Sequence, residues 1–119
     1  MPRNSKERTF SFALDIVHLA QRLDDCSGVS RALGRQLLRS GTAIGDNVEE
    51  AQGVQSHADF SSKYAIALKG ARTTIYWLRL LKESGLSPDN YYGSLRREAN
   101  EIARTIGAII VKAKRNRSG

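Results

Sequence analysis

Small and apolar residues recur along this chain at alternating intervals of four and three, not at intervals of two. The longest series is Phe60, Tyr64, Ala67, Ala71, Thr74, Leu78 and Leu81. A second runs Leu95, Ala99, Ile102, Ile106, Ile109 and Ala113, and a third Leu33, Leu37, Ser40, Ile44, Asn47 and Ala51. Near the start, Phe12, Ile16, Leu19 and Leu23 keep the same step, widened by Ala13, Val17 and Ala20. At about 100° per residue such a series stays on one side of a helix, whereas a strand would scatter it over both faces. The spacing also suits helices that pack nearly antiparallel, crossing at about 20°. The chain is confined to helix-on-helix packing.

Punctuation divides the chain into four helices. Asn4 or Ser5 can cap the first. Gly28 falls in a loop, and Ser30 can cap the second helix, which Gly53 ends. Ser56 with Asp59 resembles a capping box. Gly85 suits a C-terminal cap, and Ser87-Pro88 an N-cap followed by proline at the first helical position. The expected spans are about 6–26, 30–52, 57–84 and 88–115. Short connections make consecutive helices antiparallel neighbours. The predicted fold is all-α: an up-down-up-down antiparallel four-helix bundle, one domain over residues 1–119, with 1–5 and 116–119 as unstructured tails.

Two polar residues, Ser40 and Asn47, stand a heptad apart in the second seam. Left unpaired in a core, each would cost roughly 1–3 kcal/mol, so partners are expected, with Tyr64 and Thr74 as candidates. Their expected role is structural, fixing register as a buried Asn does in coiled coils. Gly41-Thr-Ala-Ile-Gly45 lacks the Lys-Ser/Thr ending of a phosphate-binding loop and falls inside a helix, so its glycines are read as sites of close helix packing.

The third helix carries a further row, Ile66, Gly70, Thr73, Trp77 and Leu80, on a different face from its seam. A monomeric bundle does not need it. An exposed Trp is costly, and aromatics concentrate at interface centres, so the row is expected to be an oligomer interface. Gly70 would let another backbone approach closely.

Charge is unevenly placed. Residues 1–60 hold 7 Lys/Arg against 8 Asp/Glu, net −1, and residues 61–119 hold 12 against 4, net +8. On the third helix Lys69, Arg72, Tyr76 and Arg79 share a face. On the fourth, Arg97, Arg104, Lys112 and Arg115 share another, with Arg97 able to pair Glu101. Lys112, Lys114 and Arg115 also belong to a basic cluster near the C-terminus. Such stripes neutralise phosphates without reading sequence, and Tyr76 can stack on a base.

Catalytic signals are weak. Asp15-x-x-His18 is one partial copy of a metal motif that bundles use in pairs with further acids. His57 sits at a helix start. No Gly-x-Ser-x-Gly turn occurs, and Cys26 is the sole cysteine. The polar first residues do not form a signal peptide, and no segment has the roughly 20 apolar residues of a membrane span. The expectation is a cytoplasmic protein with no enzymatic activity, cofactor, metal or membrane partner.

Gln36, Arg39, Ser40, Ile44, Asn47 and Glu50, then Ala51-Gln52-Gly53, Asp59-Phe60, Ile66-Ala67-Leu68 and Tyr76-Trp77-Leu78-Arg79-Leu80-Leu81, together resemble the four-helix-bundle family named for proteins encoded in intervening sequences of bacterial 23S rRNA genes. The resemblance covers about residues 8–114 and adds Glu50 to the structural polar set of Ser40 and Asn47. It implies a homo-oligomer, most often a ring of five bundles, and no established enzymatic activity. Related proteins include the accessory variability determinant of diversity-generating retroelements, which implies nucleic acid and a reverse transcriptase as candidate partners. Close relatives often carry Glu where this chain has Gly70 and Thr73, and a small residue in place of Asp46. The third helix is correspondingly more basic here. The leading functional expectation is a homo-oligomeric bundle contacting RNA or RNA–DNA phosphates through basic helix faces. The competing one is a structural or adaptor oligomer that binds another protein and no nucleic acid.

Overall fold

The computed structural model describes residues 4–26, 28–86 and 91–118. They form four helices, α1 (Ser5–Asp24), α2 (Gly28–Gln52), α3 (His57–Glu83) and α4 (Tyr91–Ser118). Each helix packs against the next, and α4 returns to α1, while the diagonal pairs α1/α3 and α2/α4 make no close backbone approach. The result is the expected up-down-up-down bundle, elongated to 52 × 24 × 22 Å.

The seams read from the sequence form the core. Phe12, Ile16, Leu23, Leu37, Ile44, Leu78, Leu81, Ile102 and Ile106 are buried essentially completely. Phe60, Leu33 and Ile109 lie at its margins, partly buried against it. Val48, Thr9 and Tyr92 join the core from outside the predicted series.

The helix ends follow local chemistry. The Asn4 side chain accepts from the Glu7 amide at 2.8 Å, and the Ser56 hydroxyl accepts from the Asp59 amide at 3.0 Å. Each satisfies an amide that the first helical turn leaves without a partner. Gly85 takes φ 75°, where a side chain is disfavoured. From there its amide donates to the Lys82 carbonyl at 3.1 Å and the Leu86 amide to the Leu81 carbonyl at 3.0 Å, the paired pattern of a Schellman cap.

Three expectations need correction. Ser30 is not a cap: α2 begins at Gly28, and Ser30 continues the buried side of the helix with Gly34 and Leu37. Asn4 and Ser5 are the cap and first residue of α1 rather than part of a loose tail. At the other end α4 stays helical to Ser118, because Lys112–Asn116 contains no Gly or Pro and cations favour a helix C-terminus. The cap expected at Ser87-Pro88 lies outside the described residues.

Glycines on α2 let α1 approach it closely. A Cβ built at Gly41 would meet Ile16 Cγ2 at 2.8 Å and Cγ1 at 2.9 Å, one at Gly34 would meet Leu23 Cβ at 3.0 Å, and one at Gly45 would meet the Thr9 backbone at 3.4 Å. Thr9, Ile16 and Leu23 are heptad-spaced on α1, and each faces one of these glycines in antiparallel order. Gly107 on α4 is different: nothing lies within 4 Å of a Cβ there. The same substitution should therefore act in opposite directions. Gly41→Ala is expected to destabilise the fold by about 1–3 kcal/mol through overpacking against a β-branched, fully buried partner. Gly107→Ala is expected to stabilise it by up to about 1 kcal/mol through helix propensity. Urea denaturation of the two variants measures both signs.

Candidate nucleic-acid and subunit surfaces

The polar residues inside the bundle are satisfied locally and across one seam. The Ser40 and Thr74 hydroxyls lie 2.9 Å apart and share a hydrogen bond joining α2 to α3. Thr74 Oγ1 also lies 2.7 Å from the Gly70 carbonyl, and Ser40 Oγ 3.3 Å from that of Leu37. Of the two candidate partners, Thr74 is thus the one Ser40 uses. Asn47 uses neither: its Nδ2 donates to the Ala43 carbonyl of its own helix at 2.8 Å. Tyr64 instead accepts from Gln52 Nε2 at 3.2 Å.

Glu50 does not belong to this buried set. It is exposed, and its carboxylate accepts from Lys63 Nζ at 3.1 Å across the α2–α3 seam. The reason is rotational: Val48 and Ala51 take the core-facing directions of that turn, leaving Glu49 and Glu50 outside. Across the bundle, Arg8 grips Glu98 with two parallel bonds, Nε to Oε2 at 2.8 Å and Nη2 to Oε1 at 2.9 Å, tying α1 to α4. Those hydrogen bonds raise the Arg8 pKa above its ordinary value, against the lowering effect of burial.

The basic side chains lie outside. Lys69, Arg72, Tyr76 and Arg79 are all exposed on one face of α3, as are Arg97, Arg104, Lys112, Lys114 and Arg115 along α4. Arg97 does not take Glu101 as expected, because Arg104, one turn beyond that acid, donates to its carboxylate instead. Part of the charge of Arg104 is therefore answered within α4. Among the described residues, no carboxylate forms an ion pair with Lys69, Arg72 or Arg79. The fold adds two cations that sequence reasoning does not include. Lys82 Nζ sits 5.1 Å from the centre of the Tyr92 ring, and Arg96 Nη1 donates to the Tyr92 hydroxyl at 3.1 Å. They cluster where α3 meets the start of α4. A close Lys-aromatic pairing between separate helices leaves no periodic trace in a sequence.

The second row of α3 lines a groove against α2. Ile66, Gly70, Thr73 and Trp77 form one wall, Gln36, Ser40 and Ala43 the other, and Arg39 and Lys69 are the cations at its margin, around a space of about 380 Å³. Ile66 and Leu80 are exposed, whereas Trp77 is partly buried against the core and meets Tyr76 edge-on at 5.2 Å. The backbone that Gly70 admits is that of α2: a Cβ there would lie 3.3 Å from the Ser40 carbonyl oxygen. Its close approach is made inside one bundle, beside the Ser40–Thr74 bond.

Asp15 and His18 are exposed on α1, and among the described residues no group of three His, Cys, Asp or Glu is placed to hold a metal. Cys26 is exposed beyond the end of α1. His57, Phe60, Ile109 and Lys112 are among the residues lining a cleft of about 390 Å³ between the α2–α3 connection and α4. No described helix is long and apolar enough to cross a membrane.

The comparison that decides kinship is a sequence profile of the 23S rRNA-intervening sequence protein family, which matches residues 4–108. The chain belongs to that family. The crystal structure of a protein of unknown function from the S23 ribosomal protein family of Bacteroides thetaiotaomicron VPI-5482 is similar throughout. The two are 38% identical with a TM-score of 0.84, over 90% of this chain and 98% of that one. No curated protein matches significantly. For this 23S rRNA-intervening sequence family member, kinship and fold agree with the sequence resemblance.

The Ser40–Thr74 bond is open to a double-mutant cycle. Thr74→Val is expected to cost about 1–2 kcal/mol, since Ser40 loses its partner across the seam. Adding Ser40→Ala should then cost less than it does alone, giving a coupling of about 0.5–1 kcal/mol in urea titrations.

Proposed function

We propose that this family member is a non-enzymatic, homo-oligomeric bundle that holds RNA or RNA–DNA by its phosphates along the outer surfaces of α3 and α4. The observation that carries this reading is the face formed by Lys69, Arg72, Tyr76 and Arg79. Its cations are exposed, lie on one rigid helix, and have no carboxylate partner among the described residues. Surfaces meant only for solubility usually intersperse charges of both signs. Here the acids concentrate in residues 1–60, and the +8 of residues 61–119 is carried by α3 and α4. Exposed Tyr76 in the middle of the row offers a stacking surface. Contacts to phosphate give affinity without sequence preference, which suits an accessory to a larger nucleoprotein assembly. Association into an oligomer would repeat the face and multiply its avidity. The row Ile66, Thr73, Trp77 and Leu80 is the proposed contact between copies, since it keeps two half-exposed aliphatic side chains beside a large aromatic one.

Fluorescence anisotropy with a structured and an unstructured RNA, at about 50 and 200 mM salt, tests the nucleic-acid reading. Several phosphate contacts predict an affinity loss of roughly a hundredfold or more across that range. Arg72→Glu/Arg79→Glu should weaken binding to every sequence and lower the salt slope by about two. Arg97→Glu/Arg104→Glu should weaken it less, because Glu101 already answers Arg104. Unchanged affinity in both double variants overturns the assignment of these residues. Absence of binding at the lower salt overturns the nucleic-acid reading and favours an adaptor that binds another protein.

A further inference from the structure

A second exposed apolar surface lies on the other flank of α2 from the Trp77 groove. Phe10 and Leu14 are one helical turn apart on α1, and they are 57% and 45% exposed. With Ala13 and Val17 they form the apolar wall of a groove of about 310 Å³, whose other wall is α2. On that wall stand Thr42, Asp46 and Glu49. Leu38, on the same side of α2, is 36% exposed. Phe10, Leu14 and Val17 thus repeat on α1 what Ile66, Thr73 and Trp77 do on α3: a row at helical spacing that stays at least partly exposed.

The two grooves share α2 and differ in charge. The α1–α2 groove has acids, Asp46 and Glu49, on its polar wall. The α2–α3 groove has cations, Arg39 and Lys69, at its margin. Among the described residues, none of these four forms an ion pair within its own bundle. An apolar centre flanked by acids and an apolar centre flanked by bases are complementary surfaces, whereas either one facing itself would oppose like charges.

We propose that the acidic α1–α2 groove is the seat of a second copy of this chain, docked through its basic α2–α3 face. The contact joins two different surfaces, so bundles associate head to tail. The two faces adjoin along α2, so each copy can engage one neighbour through each of them. The inference rests on the homo-oligomeric reading above and adds the half of the contact that reading lacks.

Two single substitutions at half-exposed positions test it without disturbing the core, Leu14→Asp on one face and Ile66→Asp on the other. Circular dichroism and thermal melts establish that each is folded, and light scattering after size exclusion gives its mass. Each variant alone should fall from the wild-type mass to a monomer. Mixed in equal amounts they should form a capped dimer and nothing larger, because one intact α2–α3 face then meets one intact α1–α2 face. Charge reversal supplies a second route: Asp46→Lys/Glu49→Lys and Arg39→Glu/Lys69→Glu should each be monomeric alone and associate when mixed, in strict alternation and therefore with an even number of copies. Leu14→Asp at the wild-type mass, or as a dimer on its own, overturns the proposal and leaves homo-oligomerisation standing. Failure of the two monomeric variants to combine when mixed overturns it equally. A wild-type chain that is itself monomeric removes the homo-oligomeric reading and this contact with it.

Discussion

The contact between α1 and α2 sets the geometry on which the rest of the bundle is built. Gly34, Gly41 and Gly45 remove side-chain bulk from one side of α2, and Leu23, Ile16 and Thr9 fill the space left. Knobs seated directly on backbone fix both the separation and the sliding register of two helices more tightly than side chains meeting side chains, since nothing flexible lies between them. Once α2 is held that way, its far side presents Ser40 and Ile44 to α3 at the height of Gly70. One glycine again admits backbone, and the buried Ser40–Thr74 hydrogen bond locks that seam. Close packing therefore passes from α1 to α2 to α3 through four glycines.

The fold is legible in the sequence because a bundle writes its core as a period. Apart from Ala13 and Val17 on α1, the seam series consist of positions that turn inward or are partly buried, and the glycines of Gly41–Gly45 read correctly as packing sites. The misreadings share one cause: residue type suggests a role where rotation about the helix decides it. Ser30 looks like a cap by residue type, yet it falls on the buried side of α2. Glu50 sits next to core residues in sequence but about 100° away around the helix. Gly70 suggests a subunit contact because its row has no evident partner, and only the packing of α2 shows which backbone it admits.

The surfaces are legible in part. Lys69, Arg72, Tyr76 and Arg79 read as one exposed face, and they are one. The Lys82–Tyr92–Arg96 cluster cannot be read, since it joins residues from two helices whose relative rotation no spacing encodes. Phe10 and Leu14 leave a trace that is easily merged with the core. In the sequence Ala13 and Val17 widen the seam of α1, whereas in the structure they form a row of their own with Phe10 and Leu14.

The grip of Arg8 on Glu98 has a consequence for how the molecule comes apart. Three of the four seams lie between helices consecutive in the chain, so they form and reform as local hairpins. The α1–α4 seam is the exception: its partners Arg8 and Glu98 are 90 residues apart, and the two backbones come close at fewer points than in the other seams. Closing it carries the largest loop entropy in the molecule, and opening it breaks no hairpin. The native state consequently has a preferred line of parting. The α1–α2 hairpin can swing away from α3–α4 as an intact leaf, its helices still formed, so that the side chains along the α1–α4 seam meet solvent ahead of those in the other three.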